Sequence, residues 1–243
     1  MKLVVIRHGD PNYKIDSLTE TGWIEAELLS EKLKSMDIKA FYCSPLGRAI
    51  DTSRATLEKT GRTAEILPWL CEFKGRIQKP YEEKPSITWN WRPEVWSQTP
   101  EYYSRELWHT LPPFAGSNAK EQYDLVCKGL DDLLAQHGYE RNGNIYRAVS
   151  SNMDTIVLFC HFGVECVILS HLFNVSPMVL WHHTCASPTS VTTLATEERT
   201  EGEAIFRMLA FGDTSHLYAG GREPSFAARY GETFEQNEAL GFH

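Results

Sequence analysis

No Cys-x-x-Cys pair occurs in this chain, and its six cysteines (Cys43, Cys71, Cys127, Cys160, Cys166 and Cys185) are scattered without zinc-like spacing. That argues against a disulfide scaffold and a zinc module, and makes a reducing, cytoplasmic setting the simplest expectation. Basic charge is also scarce: 24 lysines and arginines stand against 32 acidic residues, a net charge of −8. Nucleic-acid binding, which usually shows a basic surplus, is disfavoured. Long apolar runs are missing as well. The N-terminal one is cut short by Arg7, too early for a signal peptide. The run from Val157 to Phe173 is broken by His161, Glu165 and His171, so it reads as a strand plus a core helix and not as a membrane span. There is no internal repeat and no low-complexity tract. The pair His182-His183 has no acidic or cysteine partner at helical spacing, so no metal site is expected.

With 42% hydrophobic and 23% charged residues, the 243-residue chain has the composition of one ordinary globular domain, spanning 1–243. Strand and helix patterns alternate. Leu3-Val4-Val5-Ile6, Ala40-Phe41-Tyr42-Cys43, Ala64-Glu65-Ile66-Leu67 and Thr155 to Cys160 read as strands. Thr19 or Thr21 can cap a helix running to about Met36. Pro45 suits the first turn of a second helix that ends near Thr60-Gly61. Tyr123, Val126, Leu130, Leu133 and Leu134 mark a third, closed by His137-Gly138, with Asp131-Asp132 on its solvated edge. A fourth runs from about Gly163 to Phe173. Asn144 to Ser150 and Asp154 to Cys160 read as two strands joined by a short polar turn, and Ser190 to Thr196 and Ala204 to Phe211 as another strand pair. This alternation predicts an α/β fold: a three-layer α/β/α sandwich on a mixed, mostly parallel sheet. Residues from about 76 to 118 break the pattern. Trp89, Trp91, Trp96, Trp108, Tyr81, Tyr102 and Tyr103 are interleaved there with Pro80, Pro85, Pro93, Pro100, Pro112 and Pro113. The prolines forbid a long regular element and the aromatics are too many for a disordered linker. An ordered, aromatic-rich insertion is expected, over the active site as a lid or simply packed on the core.

The chemistry gathers where the strands stop. The first ends in Arg7-His8-Gly9, the second leads into Ser44-Pro45-Leu46-Gly47-Arg48-Ala49, the third is followed by Leu70-Cys71-Glu72, and the run to Cys160 ends in His161-Phe162-Gly163. Open α/β sheets place ligands at such strand ends. Imidazole is a nucleophile and proton carrier near neutral pH, guanidinium grips phosphate oxygens in a fork, and glycine allows close backbone approach. Together with Leu18-Thr19-Glu20-Thr21-Gly22, these segments resemble the histidine phosphatase superfamily, also called the phosphoglycerate mutase-like family, in that family's order from residue 3 to about 163.

The resemblance implies transfer of a phosphoryl group through an enzyme histidine, without cofactor or metal. His8 is the expected nucleophile, Arg7 and Arg48 the clamps on the non-bridging oxygens, and His161 a further phosphate-binding group. Glu72, in a Leu-x-Glu segment like that of the family's acid, is the expected general acid. The glycine spacing after it is one residue short, which leaves Glu82 and Glu83 as competitors. Phe162 stands where family members often carry glycine, and Asn12 is out of register with the asparagine that often follows the first motif. The leading expectation is a phosphomonoesterase acting on a small phosphorylated metabolite, ahead of a phosphoprotein. Its alternatives are a phosphoglycerate mutase and a non-enzymatic binder of a phosphorylated ligand. Bisphosphate-using mutases resemble this core but carry an adjacent arginine pair in the insertion, whereas Arg92 and Arg105 stand apart here. His216 sits in a late loop within reach of the site. A homodimer is left open.

Overall fold

The computed structural model describes residues 1–225 and 230–240, the last three of these as backbone only. Strands β1 (Lys2–Arg7), β2 (Ala40–Cys43), β3 (Ala64–Ile66), β4 (Tyr139–Asn142), β5 (Ile145–Ala148), β6 (Thr155–Cys160), β7 (Val191–Thr200) and β8 (Glu203–Asp213) form one sheet in the order 3-2-6-1-7-8-5-4. Its β3-β2-β6-β1 half is parallel. From β1 through β7, β8, β5 and β4 it continues antiparallel. Every residue of β6, and all of β1 after Lys2, is buried. That is the burial expected of strands covered on both faces, and it explains why these runs do not alternate in polarity.

Helices fill the two outer layers. On one face α1 (Glu20–Leu33) and α2 (Gly47–Thr60) pack Leu29, Leu33 and Ala49 against Val4, Ile6, Val157 and Phe159. On the other, α3 (Ala119–Gln136) and α4 (Phe162–Phe173) pack Leu130, Leu134, Val164 and Ile168 against Leu3, Val5, Ile156 and Leu158. Thr19 caps α1, its hydroxyl accepting from the Gly22 N–H at 3.1 Å. A residue in the left-handed region, Gly61 or Asn174, ends α2 and α4.

Two local expectations need revision. The strands near 145 and 155 both exist but are not neighbours: β5 pairs with β4 and β8, while β6 lies between β1 and β2. The missed partner β4 joins β5 through the two-residue turn Gly143-Asn144, with Gly143 at φ 61°. Asp131 is not a solvated edge residue either. It accepts hydrogen bonds from the Tyr146 hydroxyl (2.7 Å) and His171 Nε2 (2.9 Å), and only Asp132 faces solvent, paired with Lys128.

Between β3 and α3 the proline-rich segment folds into short pieces. Arg76–Ile77 pairs with Ser86–Ile87, and helical turns begin at Pro93, Pro100 and Pro112, where proline's fixed φ suits a first turn. Trp91, Trp96, Tyr102, Trp108 and Phe114 are buried in the same cluster as α3 and α4. Trp108 is 0% exposed, with its ring 5.2 Å from Phe114, 5.3 Å from Tyr123 and 5.8 Å from Trp181. Trp108→Ala should therefore cost about 3–5 kcal/mol in denaturant unfolding, with one transition retained. A loss under about 1 kcal/mol would show that the segment does not share the core's cooperativity.

Candidate active site

The parallel half of the sheet brings four strand ends to one edge. Arg7 is in register with Cys160, Phe159 with Cys43, and Cys43 with Ile66. The next residues along the chain are therefore delivered side by side: His8, Ser44, His161 and, one 3-10 turn (Pro68–Leu70) beyond β3, Glu72. Backbone bonds hold the frame. The Arg7 N–H donates to the Ser190 carbonyl (3.2 Å), the His8 N–H to that of Cys160 (3.0 Å), and the Thr189 N–H to that of His8 (3.2 Å).

His8 and His161 face each other with ring centroids 5.0 Å apart. The Nδ1 of His8 lies 2.8 Å from the Gly9 carbonyl, which can only accept, so that nitrogen carries the proton and Nε2 keeps its lone pair. The Nε2 of His161 is 2.8 Å from Ser44 Oγ, while its Nδ1 is buried without a partner. Exposure is 1% for His8 and 0% for His161. Burial, and then the neighbouring Arg7 and Arg48 charges, hold His8 well below the ordinary imidazole range. His161 is lowered in the same way by burial, His8 and the two arginines. Both rings are therefore held neutral at neutral pH.

Each arginine is anchored through one nitrogen and keeps a buried, unpartnered Nε. Arg7 Nη1 donates to the Ala186 carbonyl, and its Nε is buried with no partner. Arg48 Nη1 donates to Asp16 Oδ1 at 2.6 Å, and its Nε too is buried with no partner. The other oxygen of Asp16 accepts the Gly47 N–H at the start of α2 (2.7 Å), and a Cβ at Gly47 would stand 2.1 Å from the Asp16 carbonyl. Asp16 itself sits at φ 48°. This acidic clasp was not foreseen from sequence, because it depends on how the loop from Gly9 to Thr19 folds back.

Glu72 reaches the same place from the far side. Its Oε1 accepts the Phe73 N–H (2.8 Å) and the Val164 N–H in the first turn of α4 (3.2 Å). Burial raises its pKa, against the lowering effect of those bonds and of Arg7 and Arg48. The competitors lie elsewhere. Glu82 is paired with Lys79 (3.3 Å) and bonded to Ser86, and Glu83 is exposed on the segment between the paired short strands. Phe162 lies under the Arg7 guanidinium at 5.9 Å and meets Trp89 edge-on at 6.4 Å. His216 stands one layer back: its Nε2 is 3.0 Å from the hydroxyl of Thr189, the residue bonded to the His8 carbonyl. His182 is occupied by the Met178 carbonyl and the Trp91 N–H and lies on the Trp96 ring at 4.6 Å, a packing role.

Glu165 was passed over in the sequence as a mere interruption of an apolar run. It is buried in the first turn of α4, with Oε1 accepting from Thr192 Oγ1 (2.6 Å) and Oε2 without a partner. Burial pushes its pKa up to about 7 from an ordinary 4.5. The folded chain therefore holds this proton more tightly than the unfolded one. The resulting stability is fully present below about pH 4.5 and is lost as pH rises through about 7, a change of about 3 kcal/mol. Melting temperatures measured from pH 4.5 to 8 should show this fall in the parent and not in Glu165→Gln. Parallel curves for the two proteins would mean that Glu165 does not titrate in that window.

Comparison with known proteins agrees with this geometry. The sequence model of the histidine phosphatase superfamily (branch 1) matches residues 3–204. A phosphoserine phosphatase variant from Entamoeba histolytica, solved with phosphoserine, superposes with a TM-score of 0.57 at 19% identity, over 89% of this chain and 98% of that one. A mycobacterial glucosyl-3-phosphoglycerate phosphatase gives 0.58 at 17% identity, over 87% and 98%. At such identities the likeness is one of fold. A 2,3-bisphosphoglycerate-dependent phosphoglycerate mutase of Thermoplasma acidophilum is 38% identical over 61 residues, a stretch of only 21% of this chain and 30% of that protein. With the family's motifs gathered at one sheet edge and the match running over most of its length, the chain belongs to the histidine phosphatase superfamily.

Proposed function

We propose that this chain is a phosphomonoesterase that hydrolyses a small phosphate ester through a phosphohistidine on His8. The supporting observation is the His8 ring: Nδ1 is tied to the Gly9 carbonyl, so Nε2 is unprotonated beside His161. In the first half-reaction Nε2 attacks phosphorus and the ester P–O bond breaks. The departing oxygen takes the proton of Glu72, whose raised pKa keeps the acid form above the usual carboxyl range. Arg7, Arg48 and His161 surround the non-bridging oxygens, the two guanidiniums with N–H donors that the protein's own acceptors do not use. In the second half-reaction water attacks phosphorus, the P–N bond breaks, the Glu72 carboxylate takes the water's proton, and neutral His8 is restored. No metal or cofactor enters this scheme, so activity should survive chelation.

The mutase reading has the Thermoplasma relative in its favour, but a mutase must also hold a second phosphate. Arg105 is bonded to Asn144 and Asn174, and Arg92 lies on the Tyr81 ring at 4.7 Å, so neither supports that use. A pure binding role would leave the prepared lone pair of His8 without purpose. The segment from about 76 to 118 is taken to be part of a single domain and to cover the site, and the scattered cysteines, without a Cys-x-x-Cys pair, suit the cytoplasm.

Acid-labile, base-stable phosphate should be trapped on His8 during turnover, and His8→Ala should be inactive. Glu72→Gln should slow ethyl phosphate by about 10²–10⁴-fold and p-nitrophenyl phosphate far less, because nitrophenolate leaves without a proton. Equal losses on both esters would remove Glu72 from the acid role. On alkyl esters the rate should fall at high pH as Glu72 ionises, and at low pH as His8 takes a proton below the ordinary imidazole range. Asp16→Ala frees Arg48 from its anchor and should lower kcat/KM about tenfold or more, chiefly in kcat, since a misplaced clamp loses transition-state contacts. An unchanged kcat would reduce Asp16 to a surface ion pair.

A further inference from the structure

Glu72 and an aromatic ring of the proline-rich segment meet at one point. A Cβ on Gly163 would lie 2.6 Å from Glu72 Oε1 and 2.7 Å from the far edge of the Trp89 ring. Trp89 meets Phe162 edge-on, and Phe162 lies under Arg7, so the two rings bridge the distance from a phosphate clamp to the acid. Trp181 backs them, 6.3 Å from Trp89 and bonded through its indole N–H to the Gly163 carbonyl (3.1 Å). Trp89 and Phe162 keep part of their surface open while His8 and His161 are buried. In any ester cleaved here the departing oxygen lies between phosphorus and Glu72, so the group it carries must pass over these rings. The segment's cations are engaged elsewhere or face solvent: Arg76 is exposed, Arg92 is laid on Tyr81, Arg105 is tied to Asn144 and Asn174, and the Lys79 ammonium is bonded to Glu82 and the Asn90 carbonyl.

We propose that Trp89 and Phe162 form a leaving-group subsite for a flat aromatic alcohol, which makes arylmethyl and aryl phosphate monoesters the preferred substrates over carboxylate-bearing ones. This rests on the reading of His8 and Glu72 as the groups that cleave the ester. A ring placed on Trp89 and Phe162 exchanges water for apolar contact, whereas a carboxylate there would lose its hydration against hydrocarbon, the nearby Arg7 being engaged by the phosphate in the proposed mechanism. Phe162, where relatives often have glycine, supplies half of the surface.

Benzyl phosphate and ethyl phosphate release alkoxides of similar basicity, so the ratio of their kcat/KM values reads the subsite and not the chemistry. The parent should favour benzyl phosphate about tenfold or more, and should favour it over 3-phosphoglycerate. Trp89→Ala and Phe162→Ala should each lower the benzyl-to-ethyl ratio several-fold, and Trp89→Phe should keep most of it. A parent ratio near one, or faster turnover of 3-phosphoglycerate, overturns the proposal. Calorimetric binding of phenylphosphonate against methylphosphonate by the parent makes the same comparison without a variant and without turnover. Tighter binding of the phenyl compound with no hydrolysis of any ester would sink the phosphatase reading and leave the subsite standing. Equal binding would sink the subsite alone.

Discussion

The parallel pairing of β1 with β6 is the constraint on which the rest depends. Arg7 stands opposite Cys160, so the two strands end level and each is followed at once by a histidine. Antiparallel pairing would send the two ends to opposite edges, and slipping the register by one residue would turn every side chain of a strand to the other face. The ladder is protected by burial: Val4, Ile6, Val157 and Phe159 on one side and Leu3, Val5, Ile156 and Leu158 on the other have no exposed surface. A core of this kind resists local opening, and a site built on its ends inherits that rigidity.

A rigid edge makes the electrostatics possible. Two guanidiniums and two imidazoles share a nearly dry space, which normally penalises charge severely. The penalty is contained in three ways. The imidazoles stay neutral, Arg48 is balanced by Asp16, and Arg7 is held by the Ala186 carbonyl. What is left over is directional: buried Nε donors on both arginines and Nδ1 of His161 without partners. An unpartnered buried donor is costly, and an anion with several oxygens would satisfy several at once.

The sequence was legible where function coincides with regular structure. His8, Arg48 and His161 stand next to apolar strand runs or open helices, and the patterns alone place them at one sheet edge. Glu72 was less secure because a 3-10 turn intervenes between β3 and the carboxylate. Asp16 and Glu165 are not legible because their contacts are tertiary. Asp16 acts through a loop that folds back on α2 and Glu165 through the register of α4 on β7, whereas Trp89 belongs to the aromatic insertion that the sequence does single out, though a proline-broken segment has no period to place it. The hairpin of β4 and β5 was missed for a different reason: Tyr139 to Asn142 is polar outside its first residue, so an edge strand resembled a helix end running into a loop.

The aromatic segment and the charged pocket solve opposite problems with the same surface. A glycine-rich approach to the phosphate would leave Glu72 open to water, and water would bring its pKa back toward that of an ordinary carboxyl group. Trp89 rests on Gly163 beside Glu72, and the room exists only because residue 163 has no side chain. In the proposed mechanism the ring would act on chemistry and recognition together. It would help keep Glu72 dry enough to hold a proton, and the same hydrocarbon would meet the departing alcohol. Phe162 stands beside Arg7 in the same way, its ring 5.9 Å from the guanidinium carbon. Replacing either ring with a small residue would change selectivity and proton affinity at once, so in this site the acid and the leaving-group surface cannot be varied independently.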